Sequence, residues 1–240
     1  MFDYQKYGAF KASSADGESV RLKRFARSLG LRNRYLRFLD GASHDAPLVE
    51  IGCGDGSFMR ELSARGFHHV VGIEPSPSYI SVVPPDAIVR AFAHEYFEQA
   101  PSASIGTAVA MDVFEHIPAD QLKRLLVLIE DRLMPGGMLM LRVPNLATAM
   151  GLYNYHGDLS HTTAFTEVSL RQLAFETSFG SVELHAEPFA YPRTMTAAFG
   201  ILLWAPYRWI ARAVLAAFGI NAGIVTPNVV CLMRKRGVAS

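Results

Sequence analysis

Short apolar runs alternate with segments of helical periodicity along most of this chain, and few architectures accept that pattern. The runs 48–51, 69–73, 87–92, 105–111, 138–143, 181–187 and 228–233 are rich in Val, Ile, Leu, Ala or Met. Between them, 57–65, 120–133 and 167–177 gather apolar residues on one helical face. Strands that are apolar on both faces have to be covered on both. The expected fold is therefore α/β, a doubly wound, mostly parallel seven-stranded sheet.

A chain of 240 residues can bury one full core, so a single domain is expected. Its parts are an N-terminal helical cap (1–46), a core (47–191), a helical insertion (192–227), and a last strand with its tail (228–240). The cap is read from 16–40, where basic and apolar residues alternate at helical spacing. In the insertion, 196–218 approaches membrane-spanning length, but Pro206, Arg208 and Arg212 interrupt it where lipid would be deepest. Three readings stay open there: a hairpin packed on the domain or in a homodimer, a lid over an acceptor, or a peripheral membrane contact.

Half the residues are hydrophobic, 19% are charged and the formal net charge is +1, which excludes a disordered chain and a general nucleic-acid surface. Cys53 and Cys231 lie in apolar segments without a C-x-x-C partner, so neither a zinc site nor a disulfide framework is expected. A reducing cytosol is the expected compartment. The opening MFDYQKYGAF lacks the basic and then apolar order of a secretory signal.

The stretch VEIGCGDGSF leaves the first strand with Gly52, Gly54 and Gly56 at every second position. Glycine permits positive φ and close backbone approach, so a ligand can rest on the main chain near a helix N-terminus. Tight turns use glycine for steric reasons as well. Glu74 follows the second strand, where a carboxylate can accept hydrogen bonds from a ribose diol. A nicotinamide fingerprint would read G-x-G-x-x-G, and this loop does not.

The order E-x-G-x-G-x-G at Glu50 to Gly56, Glu74, and then D-V-F-E-H-I-P resembles class I S-adenosylmethionine-dependent methyltransferases. The resemblance covers roughly 47–179. It implies S-adenosylmethionine as cofactor, with Glu50 and the backbone of Gly52, Cys53, Gly54 and Gly56 facing its amino acid part. Glu74, followed by Pro75, would hold the ribose. The family often has an acid beside the adenine, but here Phe92 and Ala93 occupy that place, as a stacking ring and an amide. Asp112 would border the cofactor, and His116 would stand beside its methionine arm. Tyr4, Lys6 and Tyr7 are candidates to fold over it.

Methyl transfer is an in-line displacement that needs an aligned nucleophile, and a hydroxyl nucleophile must also lose its proton. His116 is one candidate for that work, and packing against the following helix is its bland alternative. NYHGDLSHTTAF, expected as a loop after the fifth strand, supplies another candidate in His161, with His156 and Asp158 as acceptor contacts. The spacing of these groups matches no recognised metal pattern, so no metal is expected.

The loop DLSHTTAFT and the ending TPNVV look similar to bacterial polysaccharide and O-antigen methyltransferases. That similarity implies O-methylation of a sugar hydroxyl, in a nucleotide sugar or a glycan. An aromatic or quinone acceptor, or a module that binds cofactor or partner without catalysis, are the alternatives.

Overall fold

The computed structural model describes residues 33–76, 82–188, 195–221 and 223–237. The expectations for Tyr4, Lys6, Tyr7 and most of the N-terminal cap lie outside these residues. A 3-10 helix, Asn33–Leu39, precedes the first strand. The strands are β1 (Leu48–Ile51), β2 (Val70–Ile73), β3 (Ile88–Val89), β4 (Ile105–Met111), β5 (Leu133–Pro144), β6 (Ser181–Ala186) and β7 (Asn228–Arg234). The helices are α1 (Ser57–Ala64), α2 (Ala93–Gln99), α3 (Ala119–Arg132), α4 (Ala149–His156), α5 (Glu167–Phe175) and α6 (Met195–Ala217).

The strands form one sheet in the order β3-β2-β1-β4-β5-β7-β6. All neighbours are parallel except that β7 runs antiparallel to both β5 and β6. Strand alternation splits the core into two layers. Ala108 and Ala110 of β4 and Val229, Cys231 and Met233 of β7 face Phe97 of α2, Leu122, Leu126 and Ile129 of α3, and Leu170 of α5. The intervening Val109, Met111, Val230 and Leu232 face Phe58 and Leu62 of α1 and Tyr35, Leu36 and Leu39 of the 3-10 helix. Burying one such Leu or Phe side chain contributes about 1.5–3 kcal/mol, so the layers hold the sheet that carries the site.

Several boundaries differ from the sequence reading. The third strand is only Ile88–Val89, an edge strand paired through Gly72↔Ile88 and Ile73↔Val89, because the chain turns after Val89 to enter α2. The fifth extends back to Leu133 through Met134, Pro135, Gly136 and Gly137. α2 and α4 are additions. Within α6, Pro206 lies inside the helix, and Leu202, Leu203, Trp209, Ile210 and Val214 are exposed. Arg212 donates to Gly223 O at 2.6 Å, so that arginine is turned to the chain itself. Among the described residues no helix is long and apolar enough to cross a membrane.

Candidate active site

The carboxyl ends of β1, β2, β4 and β5 open into a cavity of about 790 Å³. Gly52, Gly54 and Gly56, which carry the chain from β1 into α1, have φ of 67°, 58° and 80°. Two of them are required by the protein itself. A Cβ on Gly52 would strike the Val113 side chain, and one on Gly56 would come within 2.6 Å of Val83 Cγ2. The Gly54 amide donates to Glu74 Oε2 at 3.0 Å, and the Ser76 amide donates to Glu74 Oε1 at 2.9 Å. Glu74 thereby joins the glycine loop to the end of β2. Burial raises its carboxyl above the ordinary range, and these two amides oppose the shift.

Gly52, Cys53, Gly54, Glu74, Pro75, Phe92 and Ala93 line the cavity. Phe92 is 40% exposed and stacks on His94 at the head of α2. Burial, followed by the charges of Glu50 and Glu74, pushes the Cys53 thiol far up and leaves it un-ionised. Glu50, Gly56 and His156 stand outside the cavity wall: Glu50 is buried within β1, Gly56 lies against Val83, and His156 ends α4 with its ring on Tyr155.

Asp112, Glu115, His116, Asp158 and His161 also line the cavity. Asp112, at φ 58°, pairs both carboxylate oxygens with Arg142 Nη1. Arg142 also donates from Nη2 to Glu187 Oε1 at 2.9 Å and from Nε to the Tyr35 hydroxyl at 2.8 Å. Arg34 and Asn228 complete the ring around Glu187, each donating to it, at 2.9 Å and 2.8 Å. The sequence reading missed this network. Its one visible signal was Arg142, a lone charge inside the apolar run MLMLRV.

The two histidines that the sequence placed in separate segments meet here. The Glu115 carbonyl accepts from the Thr162 and Thr163 amides at 2.7 and 3.0 Å, and Thr163 Oγ1 donates to Ile117 O at 2.7 Å. These bonds pin the loop after α4 onto the turn Phe114–His116 and bring the rings of His116 and His161 to 4.6 Å between centroids. Ser160 Oγ donates to Asp158 Oδ1 at 2.6 Å and accepts from His116 Nδ1 at 2.7 Å. His161 Nδ1 donates to the Tyr155 carbonyl at 2.7 Å, and its Nε2 stands 3.9 Å from Glu115 Oε1. Glu115 is 1% exposed, and burial, then the charge of Asp112, raises its carboxyl well above the ordinary range. One ligand-capable atom from each of Glu115, His116 and His161 lies within 4.8 Å of the others.

A model of the methyltransferase domain family matches residues 22–183. A tRNA U34 carboxymethyltransferase of Shewanella piezotolerans is 31% identical over 116 residues, covering 42% of this chain and 33% of that protein. The chain thus spans about a third of the length of the curated relative it matches. Among solved structures, a SAM dependent methyltransferase from Archaeoglobus fulgidus superposes with a TM-score of 0.64 at 19% identity, over 85% of this chain and 92% of that one. Burkholderia thailandensis 1,6-didemethyltoxoflavin-N1-methyltransferase, solved with 1,6-didemethyltoxoflavin and S-adenosylhomocysteine, gives 0.56 at 15% identity over 98% and 92%. At these identities the structural likenesses establish the fold.

Proposed function

The chain belongs to the methyltransferase domain family, and from that premise we propose that it transfers the methyl group of S-adenosylmethionine to a sugar hydroxyl, in a nucleotide sugar or a glycan. The observation that carries the acceptor half is the polar lining of the cavity. Glu115, His116, Asp158, His161, Asn154 and Asn228 all line it, and a ligand rich in hydroxyls can hydrogen-bond with such a wall where an apolar ring cannot.

The cofactor's amino acid part lies along Gly52 to Gly54, with its ribose at Glu74. Each Glu74 oxygen accepts one amide and keeps a lone pair for a ribose hydroxyl. The adenine rests at Pro75, Phe92 and Ala93, and Asp112 borders the methionine arm. In the transfer step the carbon–sulfur bond breaks with its electron pair staying on sulfur, the carbon–oxygen bond forms, and the hydroxyl proton leaves at the Glu115, His116 and His161 cluster. Alignment of the hydroxyl with the methyl supplies much of the rate.

An aromatic or quinone acceptor is favoured by one feature, an adjoining chamber of about 570 Å³ lined by Met150, Tyr153, Tyr207 and Pro227. A screen with labelled S-adenosylmethionine against nucleotide sugars, glycans, phenols and quinones separates the readings. Label in sugars that disappears in His116→Ala and His161→Ala is the expected result. Label confined to phenols or quinones overturns the sugar assignment, and no turnover with any acceptor favours a binding module.

A further inference from the structure

We propose that Glu115, His116 and His161 bind one divalent first-row transition-metal ion, whose open coordination positions hold neighbouring hydroxyls of the acceptor. The acceptor half of this inference rests on the sugar reading above; the metal site itself does not.

The first observation is geometric. Ligand atoms bound to one such ion at about 2.1 Å stand about 3 Å apart. The three here lie within 4.8 Å of one another, so modest side-chain rotation brings them onto a common centre.

The second is an unsatisfied group. Glu115 is buried at 1% exposure, yet among the described residues its Oε2 has no hydrogen-bond partner. Its Oε1 lies 3.9 Å from His161 Nε2, beyond hydrogen-bond length. A buried carboxyl oxygen without a partner is costly, and a cation between Glu115 and the imidazoles would complete it and hold the carboxyl ionised.

The third is the orientation of the rings. His161 donates Nδ1–H to the Tyr155 carbonyl and His116 donates Nδ1–H to Ser160, itself bonded to Asp158. Metal-bound histidines characteristically donate the other ring N–H to a carbonyl or a carboxylate-linked group, which fixes the tautomer and strengthens the ligand. The backbone bonds from Thr162 and Thr163 to Glu115 O hold the two ligand segments together without using the ligand side chains.

Two imidazoles and one carboxylate suit first-row transition metals better than magnesium or calcium, and three protein ligands leave positions for other donors. All three residues line the cavity, so those positions face the acceptor. Chelation by vicinal hydroxyls would fix one of them toward the methyl and make it acidic enough to release its proton to water, since a side chain holding the ion no longer takes up a proton. The sequence carried no signal for this, because Glu115 and His116 are adjacent while His161 arrives from a distant loop.

The test uses the full chain, stripped with EDTA and titrated with Co²⁺. The expected result is one ion per chain with a visible absorption band, an affinity at least 100-fold weaker in His161→Ala and Glu115→Gln, and about 10- to 100-fold weaker in Ser160→Ala. Circular dichroism spectra like the wild type establish that the variants are folded. Absence of stoichiometric Co²⁺ binding, or binding unchanged in folded His161→Ala, overturns the site. Sugar methylation undiminished by stripping overturns the role in holding the acceptor while leaving the sugar reading intact. Co²⁺ binding as expected with no sugar methylated overturns the sugar reading and leaves the metal site standing.

Discussion

Glu74 and Gly52 show how single residues divide between holding the protein and holding its cofactor. Glu74 uses one lone pair of each oxygen on the Gly54 and Ser76 amides, so its loss removes both a ribose acceptor and the tie that shapes the loop. Glu74→Ala should weaken S-adenosylhomocysteine binding by about 1.5–3 kcal/mol, the range for a hydrogen bond to a charged group, as measured by calorimetry. Only the ionised carboxylate accepts at both oxygens. Because burial raises its pKa, cofactor affinity should start to fall on acidification at a higher pH than an ordinary glutamate would give, and Glu74→Gln should abolish that dependence. Gly52 is needed for different reasons, a φ of 67° and the Val113 side chain where a Cβ would stand. Gly52→Ala should cost about 1–2 kcal/mol from the left-handed backbone alone, and the clash adds to it. Denaturant melts of Gly52→Ala with and without Val113→Ala separate the two parts. If the second substitution recovers nothing, the contact is not the constraint.

Elements were legible where a continuous apolar run met a turn residue, as in β1 and β4, whose bounds agree with the sequence reading. They were illegible where tertiary packing decides. β3 is short because only two residues pair with β2, and its apolar continuation Ala91 and Phe92 serves the entry to α2. α4 has eight residues, as α1 does, but it buries only Gly151, and α2 buries only Phe97, so neither carries the apolar face by which α1 could be read. The site followed the same division. Glycines and an acid at fixed sequence offsets could be read, but the contact of His116 with His161 depends on backbone bonds between distant segments. Arg142 and Glu187 were missed because an ion-pair network has no sequence spacing. α5 illustrates an element set by local chemistry. Thr166 caps it by accepting from the Ser169 amide, and Ser169 Oγ accepts from the Thr166 amide. Thr166→Ala should lower unfolding free energy by about 1 kcal/mol, read from the denaturant midpoint. Since α5 follows directly on the His161 loop, a loss of Co²⁺ affinity larger than the loss of stability would show that the cap also steadies the site.

Across the molecule, one largely buried carboxylate ties together the carboxyl side of half the sheet, from β4 to β6. Glu187, beyond β6, accepts from Arg34 and Tyr35 in the opening 3-10 helix, from Arg142 in β5 and from Asn228 in β7. Through Arg142 it reaches Asp112 after β4. Burial alone would raise the Glu187 carboxyl, but the Arg142 charge and the hydrogen bonds from Tyr35, Asn228 and Arg142 outweigh it and hold the group below its ordinary range. Removing one member of such a network strands the others, and about 3–5 kcal/mol is the usual cost of breaking a buried pair. Glu187→Gln should therefore destabilise the fold by that order at neutral pH. The pH dependence has a definite sign. A carboxylate with a depressed folded-state pKa stabilises the protein above its unfolded-state pKa, and the stabilisation is lost as the pH falls through the folded-state value. The difference in unfolding free energy between wild type and Glu187→Gln should thus shrink steadily on acidification from the ordinary carboxylate range downward. Denaturant unfolding of both across that range provides the measurement. A difference that stays constant with pH would mean that the packing of Glu187, and not its charge, joins these strands.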